Sequence, residues 1–193
     1  MNIFKKADIL IPQNVDFSKW SVVACDQYTS EPEYWEDVKE KTKNSPSTLN
    51  IVFPEVYLSE GDGRIEEINE TMQKYIDANI FKELKNSLVY VERTVGNGKI
   101  RHGLVGAIDL EEYDFNKGSG SYVRATEGTV LERIPPRVKI RENAKLELPH
   151  IMLLIDDRTK SIIEGLADKK EDFEKIYDFD LMKNGGHIEG YKV

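Results

Sequence analysis

Apolar side chains at Ile65, Ile68, Met72, Tyr75 and Ile76 recur at three- and four-residue spacing. That period lays them on one face of a helix. Gly61-Asp62-Gly63 predicts a turn before it. Asn79, which tolerates a left-handed backbone, predicts its end. A second helix is predicted after Ser30-Glu31-Pro32-Glu33. Ser30 would cap it, Glu33 would complete a capping box, and proline would sit in the first turn. It would bury Tyr34, Trp35 and Val38 and end near Asn44-Ser45-Pro46. Trp20 and Trp35 read as core or rim residues.

The strand pattern is more broken. Ile9-Leu10-Ile11-Pro12 reads as a short strand stopped by proline. Ser21 to Cys25 is a short apolar run leading into Asp26-Gln27-Tyr28. Asn50 to Leu58 is apolar but contains Pro54, which suits a weak or edge strand. Leu88–Thr94 and Lys99–Leu110 flank Gly96-Asn97-Gly98, a strong hairpin signal. Gly103 and Gly106 suggest close backbone approach or a bulge. Lys117 to Ser121 reads as a flexible loop. Ile151-Met-Leu-Leu-Ile155 is uninterrupted, as in a strand buried on both faces. Ser161–Ala167 and Glu171–Tyr177 read as short helices. Phe179–Lys183 and His187–Lys192 flank a second hairpin turn at Asn184-Gly185-Gly186. Hairpins mixed with helices predict an α+β fold with a mixed or antiparallel sheet and a single core over residues 1–193.

Composition narrows the function classes. The chain has 193 residues, 39% hydrophobic and 32% charged, with net charge -8. Clear apolar runs argue for a buried core rather than disorder. The acidic excess disfavours nucleic-acid binding. One cysteine, Cys25, excludes a disulfide framework and a Cys-rich zinc site. It reads as a small buried hydrophobe rather than a nucleophile. His102, His150 and His187 lack helical metal-binding spacing. No apolar run nears the ~20 residues of a membrane helix, and no signal segment opens the chain. The expected location is the cytoplasm.

Charge patterning singles out one stretch. Between Tyr122 and Lys145, Arg124, Arg133, Arg137, Lys139, Arg141 and Lys145 face only Glu127, Glu132 and Glu142. This island is +3 against -11 for the rest of the chain. Planar arginine forks suit phosphate and carboxylate. The Ala125-Thr-Glu-Gly-Thr129 loop supplies hydroxyls, a glycine and one carboxylate. The functional reading is an anion site. Arg124, Arg137 and Arg141 clamp a phosphate, Thr126 and Thr129 donate to it, and Glu127 orients or deprotonates a hydroxyl. The structural alternative is a solvated helix face from Val130 onward, its arginines paired locally to Glu132 and Glu142. Asp26, in a turn after a short run, is a further candidate ligand residue. Asp156-Asp157 could hold a magnesium ion, but a turn followed by a helix capped by Asp157 is the stronger reading.

These segments resemble the bacterial and archaeal family catalogued as domain of unknown function 1015. The resemblance runs through Val23-Ala-Cys-Asp-Gln-Tyr28, Asn79-Ile80-Phe81, Arg101 to Leu110, and Arg124-Ala-Thr-Glu-Gly-Thr129. Many members carry His-Glu-x-Thr at the last segment. Here Thr126 stands at the histidine position, while Glu127 and Thr129 match. The resemblance therefore puts weight on Glu127 and implies a role for Arg137. It also implies that the chain is the N-terminal portion of a longer protein. A glutamate loop followed by a basic helix is, in motif order alone, similar to the nucleotide-handling box of the ParB and sulfiredoxin superfamily, which implies phosphoryl transfer. Two functions follow as expectations. One is an enzyme or binding protein for a phosphorylated small molecule or nucleotide. The other is a non-catalytic interaction module using the basic surface. A ParB-like DNA partner is disfavoured by the net charge.

Overall fold

The computed structural model describes residues 3–193 except 115, 117, 126, 127 and 129. The chain runs β1 (Phe4–Lys5), β2 (Ala7–Pro12), α1 (Phe17–Trp20), α2 (Pro32–Thr42), α3 (Asp62–Asp77), β3 (Phe81–Ser87), β4 (Val89–Thr94), β5 (Ile100–Val105) and β6 (Ala107–Ile108). It continues through α4 (Ile134–Glu142), α5 (Ile163–Ala167), β7 (Glu174–Asp180) and β8 (His187–Lys192). Short 3-10 helices lie at Thr48–Asn50, Glu55–Glu60, Leu131–Arg133 and Lys170–Asp172, among others. All strand pairs within the sheets are antiparallel: β1 with β6, β2 with β3, and a four-stranded sheet ordered β5-β4-β8-β7. This is the expected α+β class. Among the described residues, no helix is long and apolar enough to cross a membrane.

The periodic helix forms as predicted. Ile65, Ile68 and Met72 of α3 are buried, and Asn79 takes a positive φ of 55° just beyond its end. They pack with Trp20, Ile51 and Phe53. A second cluster joins Trp35 and Val38 of α2 to Leu49. The Gly96-Asn97-Gly98 turn closes with Gly98 N–H donating to Val95 O and Val95 N–H donating to Lys99 O, at 2.8 and 2.9 Å. At Gly106 a Cβ would lie 2.7 Å from Lys5 O and from the Leu88 and Phe4 side chains. Close approach there separates β5 from β6.

Other expectations fail for identifiable reasons. Ser30 does not cap α2. The N-cap is Glu31, with no side-chain cap bond. Tyr28 turns the chain at φ 53°, and Glu31 N–H closes on Tyr28 O, so Ser30 is spent inside a turn. Residues 21–24 form no strand. The 50–58 run is a buried turn and 3-10 helix rather than an edge strand, with Ile51, Val52 and Phe53 in the core. A short apolar run signals burial without specifying strand or turn. Residues 174–177, expected in a helix, belong to β7, because pairing with β8 outweighs local preference. β3 went unpredicted: its polar Phe-Lys-Glu-Leu-Lys-Asn-Ser sequence is strand only through its partner β2. Ile151 to Ile155 is neither strand nor buried; all five side chains are exposed.

The four-stranded sheet has two unlike faces. Phe17 of α1 packs on one, its ring centroid 5.1 Å from Phe179 and 6.2 Å from Tyr177. The other carries Tyr90, Glu92, His102, Glu189 and Tyr191 in register. A bulge between Lys175 and Tyr177 puts Lys175 and Asp178 opposite Tyr191 and Glu189 on this polar face.

Candidate functional site

The basic segment docks on the helical core through its apolar residues. Ile140, Ala144, Leu146 and Leu148 pack against the Trp20–Met72 cluster. Pro135 and Pro136 open α4, where missing N–H groups cost nothing. This docking fixes which way the arginines point. Arg137 Nη2 donates to Glu55 Oε1 at 2.5 Å, and Arg133 Nη1 lies 3.3 Å from Glu55 Oε2. The Glu55 carboxylate is only 9% exposed, while both arginine side chains are about half exposed. One buried acid therefore aligns two guanidiniums and leaves their outer faces to solvent. Lys139 pairs with Asp62 at 3.0 Å, and Arg141 pairs with Glu147 and reaches Pro149 O at 3.4 Å.

The turn 24–28 completes this group. Glu55 N–H donates to Cys25 O at 2.8 Å. Trp35 Nε1 donates to Gln27 O at 3.2 Å, anchoring the turn to α2. Asp26 is exposed at its tip. The Arg137 guanidinium is held above its ordinary pKa, first by the Glu55 hydrogen bond, then by the negative charges of Glu55 and Asp26, against the cost of burial. Burial raises the Cys25 thiol, and Asp26 and Glu55 add to this, with Arg137 opposing. A thiol held protonated is a poor nucleophile, in keeping with a half-buried packing residue.

The 24–28 turn and Arg137 thus meet at Glu55, Cys25 O on its N–H and the guanidinium on its carboxylate, although they lie far apart in the chain. Arg124 stands apart, its Nε donating to Ser121 O at 2.8 Å. Thr126, Glu127 and Thr129 lie outside the described residues. Among the described residues, no arginine pairs locally with Glu132 or Glu142; Glu55 and Glu147 take those roles. Asp157 caps a turn, accepting from Thr159 N–H and Ile162 N–H at 3.2 and 2.8 Å. Asp156 is exposed and 3.6 Å from Arg158. Hydrogen bonding thus commits Asp157 to the backbone. Glu55 is the residue that sequence reasoning missed. It sits inside an apolar run, and nothing local marks it as the partner of arginines some eighty positions away.

A second polar constellation lies on the sheet. Tyr90 Oη donates to Glu92 Oε1 at 2.7 Å and is 2.7 Å from His102 Nδ1. Its single proton is given to the carboxylate, so Nδ1 of a neutral His102 must carry the hydrogen it donates back. Lys170 donates to Glu92 Oε2 at 2.7 Å. Burial alone would raise the Glu92 carboxyl, but hydrogen bonds from Lys170 and Tyr90 hold it below the ordinary value. Burial and the Glu92 bond push the Tyr90 hydroxyl far up. Nearby, the ligand atoms of Asp178, His187 and Glu189 lie within 4.8 Å of one another, close enough to chelate a cation. Lys175 already donates to Asp178 and Glu189 at 2.7 and 2.6 Å. Its ammonium supplies the positive charge that these carboxylates require, so a metal ion would have to displace it.

Comparison with known proteins comes down to a single family. No curated protein and no solved structure matches the chain. The model of the family described as protein of unknown function (DUF1015) matches residues 9–193. Given a match over nearly its whole length, the chain belongs to that family.

Proposed function

We propose that the face formed by the 24–28 turn, Glu55 and the first turns of α4 binds a small phosphorylated or otherwise anionic ligand. The observation that carries this is the pairing of Arg133 and Arg137 on the Glu55 carboxylate, whose own backbone N–H is held by Cys25 O of the 24–28 turn. A buried carboxylate that holds two half-exposed guanidiniums in place spares them part of the entropy of ordering when an anion arrives. The basic island supplies local attraction within an acidic chain, over the short range that screening allows. The finer reading is phosphoryl transfer to a hydroxyl, with Glu127 as base and the arginines neutralising developing charge. It draws on the order of residues in the Arg124–Thr129 segment. A magnesium ion would accompany a nucleotide substrate.

Thermal-shift measurements with ATP, ADP and phosphoserine, each with and without magnesium, test the proposal. Ligand at a hundred times its dissociation constant adds about 2.7 kcal/mol. Arg137→Ala should remove that stabilisation; Asp26→Asn, which takes away a carboxylate that repels an anion, should not. Glu127→Gln should keep binding and lose turnover. No stabilisation by millimolar ligand would sink the reading.

One observation favours a non-catalytic alternative. Arg133, Arg137 and Arg141 all engage carboxylates of the chain itself. Such a surface could hold a partner's acidic segment by exchanging ion pairs. Glu127→Gln would leave that complex intact.

A further inference from the structure

We infer that the cleft between α2 and α3 is a binding site for a small organic monocarboxylate. The cleft has a volume of about 410 Å³ and shares no residue with the face proposed above. That volume is at the small end of ligand pockets, which run from roughly 300 to 1,000 Å³. Arg64, Ile68, Thr71 and Tyr75 line it, at spacings of four, three and four, so a single stripe of α3 faces it. The Arg64 guanidinium lies over the Tyr57 ring, 4.3 Å from its centroid. Its Nη1 donates to Glu60 Oε2 at 2.7 Å. The other edge of the fork, Nε with Nη2, has no acceptor among the described residues, and Nε is buried. A buried donor on a charged group that lacks an acceptor costs stability. This edge is one that the two oxygens of a carboxylate fit. A small swing of the guanidinium across the Tyr57 ring presents both donors to a ligand in the cleft.

The rest of the lining narrows the ligand. Lys39 of α2 borders the same cleft, and its ammonium has no partner among the described residues. Its neighbours Lys41 and Lys43 are instead paired with Asp37 and Glu40. Lys39 therefore adds an uncommitted positive charge. Glu67 also lines the cleft, and Glu60 holds one end of Arg64. Two acids thus balance two cations. A doubly charged phosphate would meet repulsion from both acids, whereas a single carboxylate on the open Arg64 edge would not overload the balance. The hydroxyls along the cleft are already spent. Thr71 Oγ1 donates to Glu67 O at 2.8 Å. Tyr75 Oη accepts from Ser47 N–H and Asn50 Nδ2 at 3.1 and 3.0 Å. Buried Leu49 and Ile68 supply apolar contact. The ligand that matches is a carboxylate on an apolar body, without further polar groups to satisfy.

An NMR titration of the full chain with benzoate tests this, with benzamide as the neutral isostere and inorganic phosphate as the second anion. Benzoate should shift the backbone amides of Leu49, Asn50, Ile68 and Thr71 saturably in the millimolar range. Benzamide and phosphate at the same concentrations should not. Arg64→Lys keeps the charge and loses the fork, and should weaken benzoate binding about tenfold or more. Lys39→Gln should weaken it several-fold. Lys39 is exposed and makes no contact to lose, so this variant keeps the test valid if Arg64→Lys disturbs the Tyr57 stack. Arg137→Ala should leave benzoate affinity unchanged, which separates this cleft from the face on α4. No saturable shift with millimolar benzoate overturns the inference. An equal response to benzamide or to phosphate also overturns it, as does unchanged affinity in Lys39→Gln or shifts centred on Arg133 and Arg137.

Discussion

His187 sits between two carboxylates, Nδ1 2.8 Å from Asp180 and Nε2 3.0 Å from Asp178. The Asp180 hydrogen bond, aided by the charges of Asp178 and Asp180, raises its pKa above the ordinary 6.5 despite some desolvation. A group whose folded pKa is raised stabilises the fold fully below its unfolded value, and that contribution disappears as pH rises through the folded value. The stability difference between the native chain and His187→Asn should therefore be largest near pH 6 and shrink toward pH 9, as read by urea denaturation. A difference that stays flat over that range would contradict the ion-paired geometry. The same logic separates the two charged groups described above. Glu55 serves arginines that keep solvent-facing donors, so its neighbourhood remains able to bind. Glu92 is enclosed by Tyr90, His102 and Lys170 and is spent on holding the sheet together.

Elements depend on where a side chain is absent as well as on where one packs. Gly190 in β8 lies under the Tyr177 ring, and a Cβ there would come within 2.1 to 2.4 Å of ring atoms. Tyr177 in turn packs near Phe17 and Phe179, so the ring has little room to give. Gly190→Ala should destabilise the protein by about 1–3 kcal/mol through overpacking. Gly190→Ala combined with Tyr177→Leu should recover part of the loss. Equal effects of the single and double variants in chemical denaturation would show that the ring contact is not the cause. The second hairpin shows how far local signals reach. Asn184-Gly185-Gly186 marks the turn correctly, yet the strand before it begins at Glu174, within a segment whose local pattern reads as helix. Pairing partners decide strand identity, and a window of a few residues does not contain them.

At the scale of the molecule, two buried clusters hold the helical part, one around Trp20 and one around Trp35. Tyr57 packs against both. We expect them to unfold together. Trp20→Ala and Trp35→Ala should each lower stability by about 3–5 kcal/mol and shift one shared urea transition. Two separable transitions, each sensitive to one tryptophan, would divide the chain into independent units. The proposed binding face depends on this core. Ile140, Ala144, Leu146 and Leu148 tie the basic segment to the Trp20 cluster, so loosening that cluster should weaken anion binding without touching an arginine.

The α3 period, the turn at Gly96-Asn97-Gly98, the α+β class and the basic island around Arg137 could all be read from the chain, because each depends on neighbours a few positions away. The turn at Asp157 belongs with them, but the helix cap expected of Asp157 does not form: the N-cap of α5 is Ile162, and Asp157 accepts within the turn before it. Tertiary structure decided what depends on distant partners. It buried the 50–58 run as a turn, made a strand of 81–87 by placing β2 beside it, and left Ile151–Ile155 bare. It also drew Glu55 to Arg133 and Arg137, turning a local excess of charge into two guanidiniums held on one carboxylate. Charge and periodicity are written along the chain. Which carboxylate meets which arginine is settled only when the core closes and brings their backbones together.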